Sequence, residues 1–303
     1  MPQGIAWLPP AMLLAALLLD IVFGSPAIAG RIPGLARFFA RPALFFTKRL
    51  DRPARTPQVL AVRGAIIAAL LLLLAAAIGI ALHRLTRSWE GGLAAELLIL
   101  SSGLALRRPF VAVRRALAKT KVAAEHTAMR TAIEQTAGAL ESGLALPVAA
   151  YLFLGLGGFV IAVAARVIDR AVGGARPGER PFAAAAHAAH RLLAAAPGHV
   201  LAVCLVVASI FVPGARHFAA LREAWKSSGR DRPTLAAFAG VLHVALGGPP
   251  RWSGKGTARV TPSDLGRAFA LYIAGVLVIV LVLAAVVLVD LQPRLIVLDS
   301  NEL

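Results

Sequence analysis

The chain has 303 residues, of which 58% are hydrophobic and only 16% are charged, and its formal net charge is +17. Soluble proteins have about half apolar and about a quarter charged residues, so this composition excludes an ordinary soluble enzyme and, equally, a disordered chain. The apolar residues form long blocks between basic segments, which is typical of a membrane protein. The sequence has neither an extended basic platform with interleaved aromatic residues nor the spacing of a zinc site, so we expect no binding to nucleic acid.

Six apolar stretches are long enough, or nearly long enough, to cross a bilayer as a helix of about 20 residues. They are 5–23, 64–82, 92–106, 147–165, 197–214 and 269–290. The first predicts an uncleaved membrane helix rather than a signal peptide, because no Lys or Arg precedes it and Asp20 lies inside it. The third is short and contains Glu96, which predicts a re-entrant, tilted or buried helix. We predict an all-α, polytopic integral membrane protein with about five to six transmembrane helices, forming a single membrane domain over residues 1–303.

The connections between these stretches are strongly basic on one side. Alternate connections carry 24 Lys and Arg residues on one side and 8 on the other, and the positive-inside rule places the larger group in the cytoplasm. Segment 107–134 alternates apolar and basic positions at helical spacing, which predicts an amphipathic helix on the cytoplasmic membrane surface. The apolar patch 235–246 is too short to span and predicts an interfacial helix.

The last stretch has the clearest start signal, with a hydroxyl at Thr261, Pro262 in the first helical position and Asp264 two residues later. A Gly-rich basic loop, residues 246–256, precedes it. Exposed backbone N–H groups and cations in such a loop suit a phosphate, although the spacing is not that of a P-loop and a plain turn remains the alternative. The candidate phosphate-binding residues are Gly247, Gly248, Arg251 and Lys255.

Ionisable residues inside or at the edge of apolar segments are candidates for chemistry, because a charge in hydrocarbon must be paired. The candidate catalytic residues are Asp20, Glu134 and Asp169. His187 and His190 lie three residues apart among alanines, so we predict no metal site there. The one cysteine, Cys204, lies in an apolar run and is interpreted as a packing residue.

Several of these segments together resemble the adenosylcobinamide-phosphate synthase family, the membrane proteins of cobalamin biosynthesis called CobD or CbiB. The segment 246–254, followed by 261–265, is similar to the C-terminal box of that family. Three further fragments are similar to its other boxes, in the same order along the chain. These fragments are Leu19, Asp20, Gly24 and Pro26; Glu134, Ala137, Gly143 and Pro147; and Asp169, Val172 and Gly173.

The resemblance implies a multi-pass protein of the bacterial inner membrane that joins aminopropanol phosphate to adenosylcobyric acid through an amide. It implies ATP and Mg²⁺ as cofactors if that activity is retained, and a corrinoid precursor as ligand. This chain departs from the family pattern by losing acids and amides and gaining arginines, and Glu141 stands one place out of register. Two interpretations follow: a synthase-like protein with a degenerate site, or a non-catalytic paralogue that binds a membrane protein partner.

One geometric question remains open in the sequence. The boxes around 134–147 and 169–173 flank the stretch 147–165, and a straight helix of this length spans about 28 Å. A straight crossing would therefore place the two boxes on opposite sides of the membrane, where they share no site. The glycines of 154–158 offer a break, so that either the segment re-enters or the boxes remain apart.

Overall fold

The fold is that of a computed structural model, which describes residues 9–22, 35–52, 54–104, 106, 108–118, 125–173, 180–227, 232–248 and 252–299. All regular elements within these ranges are helices. In chain order they are α1 (Pro9–Val22), α2 (Leu35–Leu50), α3 (Pro57–Arg87), α4 (Gly92–Gly103), α5 (Arg108–Ala118), α6 (Glu125–Leu140), a π-helical turn (Glu141–Ala145), α7 (Leu146–Gly173), a 3₁₀ turn (Pro181–Ala183), α8 (Ala184–Ser209), α9 (Ala219–Lys226), α10 (Pro233–Leu242) and α11 (Pro262–Asp299).

The helices confirm an all-α membrane-embedded class. Four helical stretches are long and apolar enough to cross a bilayer, and they are Pro57–Arg87, His126–Gly173, Pro181–Ser209 and Pro262–Asp290. On α3, Leu70 and Leu73 leave more than half of their surface exposed. On α11, Leu281 does the same. Large exposed aliphatic side chains on long helices suit contact with lipid rather than with water.

Segment 147–165 folds back on itself. Within α7, Gly155 has φ 62° and ψ −155°, far from helical values. The backbone of Gly158 lies against the carbonyl of Ala150, although a straight helix would hold these positions about 12 Å apart. Arg166 donates a hydrogen bond to the carbonyl of Ser142 at 3.0 Å, whereas a straight helix would separate them by about 36 Å. Thus α7 has two arms, 146–154 and 156–173, which we call the hairpin, and the segment is not one straight crossing helix.

The neighbouring helices fix the hairpin at its turn. A Cβ added to Gly79 of α3 would lie 2.8 Å from the Cα of Gly157, so the glycines allow the two backbones to approach closely. The hydroxyl of Tyr151 donates a buried hydrogen bond to Glu96 of α4 at 2.6 Å. This bond explains how Glu96 is accommodated in an apolar helix, and it confirms the expectation of a short, buried element there.

Other boundaries differ from the sequence expectations. The capping pattern before α11 is confirmed, since the amide of Thr261 donates to Asp264 Oδ2 at 2.9 Å. The interfacial helix predicted at 235–246 is wrong, because nearly every residue of α10 is buried within the protein. Segment 107–134 forms parts of two helices, α5 and α6, and the second of these continues into the buried π-helical turn. Apolar composition alone does not show that other helices will cover a short helix.

Candidate functional site

Asp169, a predicted catalytic residue, lies fully buried on the returning arm of the hairpin. Its two carboxylate oxygens face two imidazoles of α8: His187 Nδ1 lies 3.1 Å from Oδ1, and His190 Nδ1 lies 2.7 Å from Oδ2. An ionised carboxylate only accepts hydrogen bonds, so the proton of each interaction resides on Nδ1. The carboxylate therefore fixes the tautomer of both histidines, which leaves each Nε2 as the acceptor nitrogen when the ring is neutral.

Arg232 connects Asp169 with a second buried acid. Its Nη2 lies 3.9 Å from Asp169 Oδ2, and its positive charge also acts on Glu141. Glu141 opens the π-helical turn with only 2% of its surface exposed. A Cβ added to Gly198 of α8 would lie 2.8 Å from Glu141 Oε1, so α8 passes close to this carboxylate. The return of the chain at Gly155 thus brings acids from both boxes to one guanidinium.

The face of α6 that precedes Glu141 continues this polar region. A Cβ added to Gly138 would lie 3.3 Å from Nη1 of Arg232. One turn earlier on the same face is Glu134, another predicted catalytic residue, and positions four apart on a helix are neighbours. Glu134, Glu141, Asp169, His187, His190 and Arg232 are called the polar cluster below. From Glu134 to Glu141 it extends about 10 Å along the helix axis.

The Gly-rich loop meets the polar cluster at Glu134. The amide of Gly247 donates to Glu134 Oε1 at 2.8 Å, and Arg130 Nε lies 3.8 Å from the same oxygen. Arg130 also stacks over Trp252, with its guanidinium carbon 5.1 Å from the ring centroid. Gly247 and Gly248 have φ values of 95° and 80°, which favour glycine. The predicted phosphate loop therefore directs at least one N–H group to a carboxylate of the protein itself, which makes Glu134 a positioning residue for the loop.

This contact predicts the effect of removing the carboxylate. In Glu134→Ala, the Gly247 amide loses its acceptor and the loop loses about 1 kcal/mol of local stability. We expect trypsin to cleave after the exposed Lys255 about five times faster than in the parent, measured by mass spectrometry of the detergent-solubilised protein. Glu90→Ala, at an exposed position on the surface, is the matched control. Equal cleavage of the two variants would contradict a positioning role for Glu134.

The remaining predicted residues are placed as follows. Lys255 is exposed near the end of the loop, and Arg251 lies outside the described residues. Asp20 is buried on α1, where its charge acts on the phenol of Tyr272 on α11. Of the predicted catalytic residues, the structure thus brings Glu134 and Asp169 into the polar cluster and places Asp20 against α11.

His187, His190 and Arg232 of the polar cluster were not among the predicted functional residues. His187 and His190 were interpreted as isolated, because no acid is close to them in sequence, and Arg232 had no distinguishing context. The available signal was Asp169 itself, since a carboxylate at the end of an apolar helix requires a partner, and the nearest polar residues on the following helix are these histidines.

The donor atoms of the polar cluster bear on metal binding. Within the described residues, no group of three or more His, Cys, Asp or Glu side chains is arranged to hold a metal ion.

Comparisons of the chain with known protein families, with curated proteins and with solved structures find no match.

Proposed function

We propose that this chain is a CobD/CbiB-like protein of the bacterial inner membrane that acts in cobalamin biosynthesis, with aminopropanol phosphate and a corrinoid precursor as its ligands. The observation that supports the proposal is the return of the chain at Gly155. It brings together the two fragments that resemble separate boxes of the synthase family, because Arg232 lies 3.9 Å from Asp169 and its charge also acts on Glu141. A family reaction that uses several boxes requires them to share one site.

The chemistry of the polar cluster suits such ligands. The guanidinium of Arg232 presents a fork of N–H groups that matches a phosphate. The Asp169–His190 pair holds a neutral imidazole with Nε2 as an acceptor, which is the arrangement of a general base that receives a proton from an attacking group. In amide formation this proton comes from the amine that attacks the activated carboxyl group. ATP, which the resemblance implies, would supply the activation of that carboxyl group.

A complementation experiment tests the proposal. Expression of the chain in a corrinoid auxotroph that lacks the synthase should restore growth on adenosylcobyric acid. Asp169→Asn removes the charge that orients both imidazoles, and we expect growth to fall by about 10²-fold or more. Glu90→Gln, exposed on the surface, should grow like the parent. Failure of the parent chain, present in the membrane at normal levels, would contradict the proposal.

One observation favours a second candidate function, a non-catalytic membrane subunit that binds a protein partner. Both oxygens of Asp169 are occupied by imidazoles of the same chain, so this carboxylate needs no ligand to be satisfied. In that case Asp169→Asn lowers the thermal stability of the purified protein, and the parent chain does not complement. The two candidates therefore differ in the phenotype of the parent chain itself.

A further inference from the structure

The carboxylates of the polar cluster are each accompanied by positive or N–H groups of the protein. Asp169 contacts two imidazoles and lies 3.9 Å from Arg232. The positive charges of Arg232 and Arg191 act on Glu141. Glu134 accepts from the Gly247 amide and lies beside Arg130. Groups of the protein itself, mainly arginine side chains, therefore compensate the negative charge of these acids.

This donor set does not fit Mg²⁺. Magnesium requires about six oxygen ligands in octahedral geometry and is held by carboxylates that are free to coordinate it. Here Asp169 faces nitrogen atoms, and any dication near Glu141 or Asp169 would lie close to the guanidinium of Arg232, which repels it. The residues that this chain offers do not match the divalent cation that the family resemblance implies.

Arg232 itself has capacity for a ligand. Its nearest recorded carboxylate oxygen is 3.9 Å away, which exceeds hydrogen-bonding distance. Its guanidinium makes no hydrogen bond to any of the described residues. The side chain is 32% exposed. A guanidinium has five N–H donors, so most of them are available to an anion that enters from the exposed side.

Buried polar atoms next to Arg232 also lack partners. Within the described part of the chain, His190 Nε2 and Glu141 Oε1 are buried without a hydrogen bond. The charge of Arg232 acts on both residues. Both residues are at least 97% buried. A buried polar group without a partner is costly, and a ligand that supplies the missing hydrogen bonds removes this cost.

We infer, building on the proposed function, that Arg232 binds the phosphate of the phosphorylated amino alcohol directly, in the role that a divalent cation would otherwise have. The guanidinium of Arg232 donates to the phosphate oxygens, and His190 Nε2 accepts a hydrogen bond from the amino end. The ligand class is a small phosphate monoester with a hydrogen-bond donor, and its binding is independent of Mg²⁺.

Calorimetric titration of the full chain in lipid nanodiscs tests this inference, with aminopropanol phosphate and inorganic phosphate as probes. In EDTA, we expect aminopropanol phosphate to bind, and added Mg²⁺ to change its affinity by less than about threefold. Arg232→Gln should weaken binding by about 10- to 100-fold, since it removes a charged hydrogen bond, and Arg232→Lys should weaken it less. Arg222→Gln, on the exposed surface of α9, should bind like the parent.

The possible outcomes separate this inference from the proposed function. Binding that requires Mg²⁺, or that survives Arg232→Gln, would overturn the inference, and growth in the complementation test would then still support the proposed function. Equal affinity for inorganic phosphate would overturn the role of His190 at the amino end. If the parent chain neither binds the probe nor complements, both proposals are overturned together.

Discussion

Replacing Arg166 with Met is expected to destabilise the protein by about 3–5 kcal/mol, because two charged hydrogen bonds of a buried guanidinium are lost. The side chain is 1% exposed. It donates to the carbonyl of Ser142 at 3.0 Å and to the carbonyl of Gly103 at 2.8 Å. These bonds join the returning arm of the hairpin to the π-helical turn and to the end of α4. Met keeps a flexible, unbranched side chain at this position but replaces neither donor.

The measurement is unfolding of the purified protein in mixed micelles, followed by circular dichroism as denaturant is added. Arg222→Met changes a side chain on the exposed surface of α9, and we expect a shift of less than about 0.5 kcal/mol there. Arg166→Lys keeps the charge but cannot reach both carbonyls in fixed geometry, so it should fall between the parent and Arg166→Met. Similar stability of Arg166→Met and Arg222→Met would refute the proposed role of these bonds.

The second large effect is expected for Gly155→Ala. Its backbone, at φ 62° and ψ −155°, lies in a region that is essentially restricted to glycine, and a residue with a Cβ there costs about 1–3 kcal/mol. An added Cβ would meet no atom within 4 Å, so the loss arises from the backbone and not from a clash. Strain at the turn favours a straighter α7, which would separate Glu141 from Asp169. We therefore expect lower stability together with loss of complementation.

A matched control and a direct measurement are both available for this variant. Gly266 of α11 also has open space around its Cβ position but lies within a regular helix, so Gly266→Ala should be neutral or stabilising. Closure of the hairpin can be followed by a disulfide between cysteines at Leu146 and Ala162, which belong to one buried cluster, in a Cys204→Ala background. The idea would be wrong if this disulfide formed equally well with Ala at position 155.

Elements that depend on local signals were predictable from the sequence. The apolar length of 64–82 and 269–290 corresponds to the long helices α3 and α11. The hydroxyl, proline and acid at 261–264 start α11 where they predict it. Hydrophobic length and capping act within a few residues, and one sequence is sufficient to read them.

The arrangement of the polar cluster depends on contacts between distant residues, which one sequence does not display. Asp169 and His190 are 21 positions apart, and their pairing follows only once α8 has packed on the hairpin. The glycines at 154–158 indicated a possible break, but glycine is frequent in membrane helices and does not by itself turn one around. Likewise, α10 is short and apolar, and its burial depends on the helices that cover it.

The π-helical turn at Glu141–Ala145 sets the rotational phase between α6 and the hairpin. Such a turn holds one more residue than the regular helix, since its hydrogen bonds run from i to i+5. A regular α-helix over the same residues would not absorb the extra one, and it would rotate α6 by up to about 100° relative to the arms that follow. The wider turn takes up this residue by local underwinding of the chain, so that the helical faces on either side of it stay in phase. A gapless comparison with a sequence that lacks the extra residue would therefore misalign one side of the turn.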